Sequence, residues 1–134
     1  MKKLDLEAAN DWAKKGWSVW VPFDEATVRS LSALPGVYKI RTRDYSFARL
    51  RRQTSTVYIG STERRDLAKR LNNLLKGTHV AGRRIQRIKQ ELDKDFEFRF
   101  RVDFAARQAE RDLLRHYETD HLELLPCNHR GTRP

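Results

Sequence analysis

Nine consecutive residues, Phe96-Glu97-Phe98-Arg99-Phe100-Arg101-Val102-Asp103-Phe104, place an apolar side chain at every even position and a charged one at every odd position. Successive strand side chains point to opposite faces, so this period of two predicts a strand with one buried face and one wet face, the pattern of an antiparallel sheet. Val37 to Thr42 and Val57-Tyr58-Ile59 read as two further strands, rich in β-branched and aromatic residues. Between them lie the thirteen residues from Arg43 to Ser55, too many for a tight hairpin turn and therefore a basic excursion from the sheet.

The remaining patterns are helical. Residues 4–15 predict a helix that Gly16 ends, and Asp24 is a candidate N-cap for a helix through about Leu34, stopped by Pro35-Gly36. Between these, Trp17 to Val21 reads as a short extended piece. Residues 65–76 put Leu67, Leu71, Leu74 and Leu75 on one stripe with Gly77 as the stop, and 80–92 carries Ile85, Ile88 and Leu92 at helical spacing. A helix over about 105–122 precedes a polar tail. The fold class expected is α/β (α+β): a small three-stranded, mainly antiparallel sheet flanked by helices. An N-terminal helical extension over 1–34 packs on a core domain over 35–134, with Trp12, Trp17 and Trp20 supplying the contact or, alternatively, a homodimer surface or a nucleic-acid-facing platform.

The charge distribution narrows the function. At 134 residues one domain is the default, and Cys127, the single cysteine, excludes an intramolecular disulfide and a Cys₂ or Cys₄ zinc site. No apolar run approaches the ~20 residues of a membrane span and no signal peptide is present, so no membrane partner and a cytoplasmic location are expected. The formal net charge is +10, yet residues 41–90 alone hold 14 Lys/Arg against 3 Asp/Glu, while the flanking segments are nearly balanced. Clustered Lys and Arg release counterions when they contact phosphates, which makes this stretch a candidate nucleic-acid surface. Its members are Arg43, Arg49, Arg51, Arg52, Arg64, Arg65, Lys69, Lys76, His79, Arg83, Arg84 and Arg87.

Two tripeptides stand in the strand–loop–strand unit: Gly36-Val37-Tyr38 opening the first strand and Tyr58-Ile59-Gly60 closing the second. Ser61 follows, then Asp66-Leu67-Ala68-Lys69-Arg70-Leu71 on a helix, a glutamate-bearing helix some forty residues on, and Pro126-Cys127-Asn128 near the end. In that order these residues resemble the GIY-YIG nuclease superfamily, whose members include homing endonucleases, excision-repair incision subunits and some restriction enzymes. The resemblance covers residues 35–128. It departs from the family in two places: the Arg43–Ser55 excursion lengthens the separation of the tyrosines, and Arg70 falls ten residues after Gly60, two more than in many members. Arg64 and Arg65 therefore compete with Arg70, whose Lys-Arg-Leu context fits the family pattern better.

The resemblance implies a metal-dependent endonuclease acting on DNA, with the choice between DNA and RNA left open. One of the two tyrosines, assigned as Tyr38 with Tyr58 as its partner, accepts the proton of the attacking water. An unperturbed phenol has a pKa near 10, so it needs a nearby cation to serve. Arg70 would present a planar fork to the scissile phosphate, and its bland role is a salt bridge to Asp66. Glu110 is the implied ligand for Mg²⁺ (or Mn²⁺), since a hard cation accepts one carboxylate plus water and phosphate oxygens. Periodicity leaves Glu118 as an alternative, because both glutamates sit beside leucines; the family's Ala-x-x-x-Glu helix favours Glu110. Asn128 matches the family's late asparagine, which braces the site. His116 and His121 are five apart and form no zinc-protease pair, and there is no Walker loop, Rossmann fingerprint or Gly-x-Ser-x-Gly elbow. The competing expectation is a non-catalytic basic nucleic-acid-binding domain on the same scaffold.

Overall fold

The computed structural model describes residues 16–31, 34–78 and 80–128; the predicted helix over 4–15, Trp12 and His79 lie outside them. In chain order the elements are β1 (Val21–Pro22), α1 (Glu25–Arg29), β2 (Gly36–Thr42), β3 (Phe47–Ala48), β4 (Gln53–Thr54), β5 (Thr56–Thr62), α2 (Leu67–Lys76), α3 (Val80–Leu92), β6 (Phe96–Val102) and α4 (Ala106–His121). The main sheet has four strands, in the order β1-β6-β2-β5, and every pairing is antiparallel. It therefore has one strand more than the three expected. The addition comes from the segment before residue 35, which is thus not wholly helical: Val21 pairs with Phe98 and Pro22 with Glu97. The short extended piece expected over Trp17 to Val21 thus becomes a strand only at its end, over Val21–Pro22, and a proline is tolerated there because β1 lies at the sheet edge.

Within the described residues the predicted helices form, with one shortened. Asp24 caps α1, accepting a hydrogen bond from the Thr27 amide at 2.8 Å, but the helix ends at Arg29 rather than near Leu34. The Ser30 hydroxyl turns back to the Ala26 carbonyl at 2.9 Å, a bond that competes with helical continuation. Gly77 adopts φ +70°, the left-handed conformation that ends α2 at little cost without a Cβ. The Arg43–Ser55 excursion contains a hairpin of its own, β3–β4, with Phe47 opposite Thr54.

The two sheet faces are covered differently. On one, Tyr38, Ile40, Phe96, Phe98 and Phe100 pack against Val28, Leu31, Leu67, Leu71, Leu74 and Ile85 of the segment 25–31 and helices α2 and α3. Complete burial of Phe98 contributes roughly 1.5–3 kcal/mol. On the other face Val37 and Ile59 meet Ala109, Leu114 and Tyr117 of α4. The charged residues of β6 share this second face, and Glu97, Arg99 and Arg101 are half-buried rather than fully wet. The expectation of an open solvated face is corrected by the tryptophans: guanidiniums of Arg41 and Arg99 lie 4.0 and 5.2 Å from the Trp20 ring centroid. Among the described residues no helix is long and apolar enough to cross a membrane.

Candidate active site

Register places the two tyrosines together. In the β2–β5 pairing Tyr38 lies opposite Gly60 and Ile40 opposite Tyr58, so both phenols rise from the same sheet face, their ring centroids 6.1 Å apart. Gly60 is the residue this approach requires. A Cβ there would stand 2.5 Å from the Tyr38 hydroxyl and 2.8 Å from Cε2 of Tyr58, distances no real side chain keeps. Beyond Tyr58 the register jumps so that Arg41 pairs with Thr56, leaving Val57 as a bulge.

Asn128 braces this strand. Ile59 and Lys39 are opposed in the ladder, yet the Ile59 amide donates to Oδ1 of Asn128 and the Ile59 carbonyl accepts from Nδ2, both at 3.1 Å. The buried side-chain amide thus stands where a further strand would pair with the β5 edge. The Cys127 amide adds a bond to the Val57 carbonyl at 2.8 Å.

Glu110, in the first turns of α4, reaches the end of β5. Its Oε1 accepts from the Ser61 hydroxyl at 3.0 Å, and no described residue donates to its Oε2. Burial raises its pKa, while the Ser61 bond and then Arg107 and Arg111 lower it. Neither arginine is its ion-pair partner; Arg107 lies 3.6 Å from Glu63 instead. Arg70 sits one turn into α2, half-exposed, its Nε 3.8 Å from Oδ2 of Asp66. Asp66 is itself held by the Thr62 hydroxyl. Neighbouring hydroxyls at the end of β5 therefore tether both charges: Ser61 the carboxylate on one side, Thr62 the aspartate beside Arg70 on the other. The sequence reading passed over both, because a serine and a threonine at a strand end carry no periodic signal.

The four side chains share one electrostatic environment. Burial first, then Tyr58 and Glu110, push the Tyr38 phenol well above its ordinary range; Arg70 opposes this. Tyr58 is pushed up to about 12, by burial and then Glu110, while a hydrogen bond from Tyr38 and the Arg70 charge pull it down. The cation thus acts on both phenols in the expected direction, but desolvation is the larger effect. Tyr38 is 3% exposed, whereas Tyr58 is only partly buried.

A metal here would find a single carboxylate, since among the described residues no group of three or more His, Cys, Asp or Glu side chains converges. Glu110 nevertheless fits a hard divalent cation. One oxygen is oriented by Ser61, the other is open, and a cation would offset the desolvation that raises its pKa.

The basic residues are dispersed. Arg64, Arg65, Lys69, Lys76, Arg83, Arg84 and Arg87 are exposed on or beside α2 and α3, with Arg87 paired to Glu91 at 3.0 Å. Arg43, Arg51 and Arg52 are exposed around the hairpin. Arg49 is engaged in holding that hairpin to the end of α4, 2.7 Å from Glu123 and 3.0 Å from the Leu124 carbonyl. Comparison with known proteins yields no match to a family model, a curated protein or a solved structure.

Proposed function

We propose that the chain is a GIY-YIG-type endonuclease, dependent on Mg²⁺ or Mn²⁺, that hydrolyses DNA phosphodiester bonds. The observation that carries this reading is geometric: register sets Tyr38 and Tyr58 on one sheet face around Gly60, and at the adjoining end of β5 Ser61 holds Glu110 of α4 while Thr62 holds Asp66 beside Arg70 of α2. Arg70, half-exposed beside the phenols, offers its planar fork to the phosphate and stabilises the charge that grows there. Tyr58 takes the proton of the attacking water. It is preferred to Tyr38, to which the resemblance assigns this role, because it is the more accessible of the two. Tyr38, its ring centroid 6.1 Å away, is the partner that packs against it. Glu110 would hold the metal ion, which supplies Lewis-acid stabilisation of phosphate charge when bound. Exposed arginines and lysines of α2 and α3 track the DNA backbone.

One observation favours a second reading, a binding module without hydrolysis: burial holds both phenols in the protonated form. Cleavage of supercoiled DNA with Mg²⁺, Mn²⁺ and EDTA separates the two. Glu110→Ala is expected to abolish cleavage and keep DNA binding, with Glu118→Ala cleaving as the parent does. Retained cleavage by the Glu110 variant removes that residue from the site, and an inert parent chain with every metal leaves the binding module.

A further inference from the structure

We infer that the sheet face opposite the paired tyrosines is a second nucleic-acid site, at which Lys39, Arg41, Arg99 and Arg101, framed by Trp17 and Trp20, receive the phosphates of a strand. This inference does not depend on hydrolysis at the tyrosine face.

The register states the problem these residues pose. Lys39 lies directly opposite Arg99, with Arg41 and Arg101 two positions along on the same face, about 7 Å away. Like charges opposed across a sheet are destabilising, so packing alone does not account for the arrangement. Ion pairs with described residues neutralise only half of it, although Asp120 of α4 lines the same cleft as Lys39. Glu97 pairs with Arg41 at 2.9 Å and Asp103 with Arg101 at 3.3 Å, whereas Lys39 and Arg99 have no ion pair with a described residue. The Nε of Arg99 is buried with no hydrogen-bond partner among the described residues.

The indoles order these cations without cancelling them. Trp17 has Lys39 at 4.7 Å, Arg99 at 4.9 Å and Arg101 at 5.2 Å from its centroid. A cation on a ring face keeps its full charge and remains available to an anion. Burial, and after it the neighbouring charges of Arg99 and Arg101, lower the pKa of Lys39. The side chains of Arg41 and Arg101 are each about one-third exposed, so a ligand can reach them. A regular grid of guanidinium and ammonium groups, on a chain of net charge +10, is complementary to a phosphodiester backbone.

The test is binding of a short labelled single strand, and of the matching duplex, measured in EDTA across a range of salt by the Lys39→Gln/Arg99→Gln double variant. Affinity is expected to fall at least about tenfold for the form that uses the site, with the log–log salt slope flatter by about 2. Folding stability is expected to stay level or rise, since repulsion is removed. A footprint on the unmodified chain supplies a second measurement: bound oligonucleotide protects Lys39 from acetylation. Unchanged affinity and slope for both oligonucleotides, with a stable variant, overturn the inference and leave a cation–indole packing layer. Should the variant not fold, the footprint alone decides, and an unprotected Lys39 overturns the inference.

Discussion

Replacing Asn128 tests the brace that holds β5 in place. Its side-chain amide is 8% exposed and makes two bonds at 3.1 Å to the amide and carbonyl of one residue, Ile59. Asn128→Ala leaves that N–H and that C=O at a sheet edge with no partner. A buried polar group deprived of its bond costs about 1–3 kcal/mol, so the pair is expected to cost about 2–4 kcal/mol once partial access of water is allowed. That is a large share of the ~5–15 kcal/mol that holds a domain of this kind. Asn128→Asp keeps the acceptor for the amide but turns an oxygen toward the Ile59 carbonyl, and is expected to be destabilising as well. Urea unfolding followed by tryptophan fluorescence gives the difference from the midpoint shift at constant slope. Amide exchange at Ile59 should accelerate in parallel. A loss below about 0.5 kcal/mol with Ile59 still protected refutes the reasoning, because the bonds would then carry no more than solvent does.

Four further outcomes follow from the site. Gly60→Ala is expected to displace both phenols and cost about 1–3 kcal/mol through overpacking, with cleavage down about a hundredfold; unfolding and cleavage assays check it. Ser61→Ala should weaken Mn²⁺ binding about tenfold, read by electron paramagnetic resonance, with Ser61→Thr restoring it. Because Tyr58 sits at about 12, its phenolate is about one part in ten thousand at pH 8, so kcat should climb about tenfold per unit between pH 7 and 9. Tyr58→Phe should abolish that slope. On the acid side, activity should fall as pH drops through the raised pKa of Glu110, whose ionised form is the one that works.

Local patterns in the chain specify what local physics decides. The alternation from Phe96 is β6, which stops at Val102 and leaves Phe104 exposed, the leucine stripe closed by Gly77 is α2, and the 80–92 boundaries agree with α3. The pairing of Tyr38 with Gly60 is implicit in two tripeptides at the ends of neighbouring antiparallel strands. What escaped reading depends on contacts between distant segments. Val21–Pro22 is a strand only because β6 offers it an edge, and Arg99 is half-buried only because the chain before β1 lays tryptophans across it. Glu110 stood beside an apolar stripe in the sequence, but nothing there announced that Ser61 would meet it. Arg49 read as one more basic loop residue until Glu123 gave it a partner 74 positions away.

The claim at the centre is that one pocket brings phenols, guanidinium and carboxylate to a single phosphodiester. A crystal structure with a short duplex and Mn²⁺ measures this most directly, through the anomalous signal of the metal. The account predicts a peak about 2.0–2.3 Å from a Glu110 carboxylate oxygen, with a backbone phosphate between it, Arg70 and the Tyr58 hydroxyl. A metal bound elsewhere, or DNA seated with its phosphates remote from both tyrosines, contradicts it.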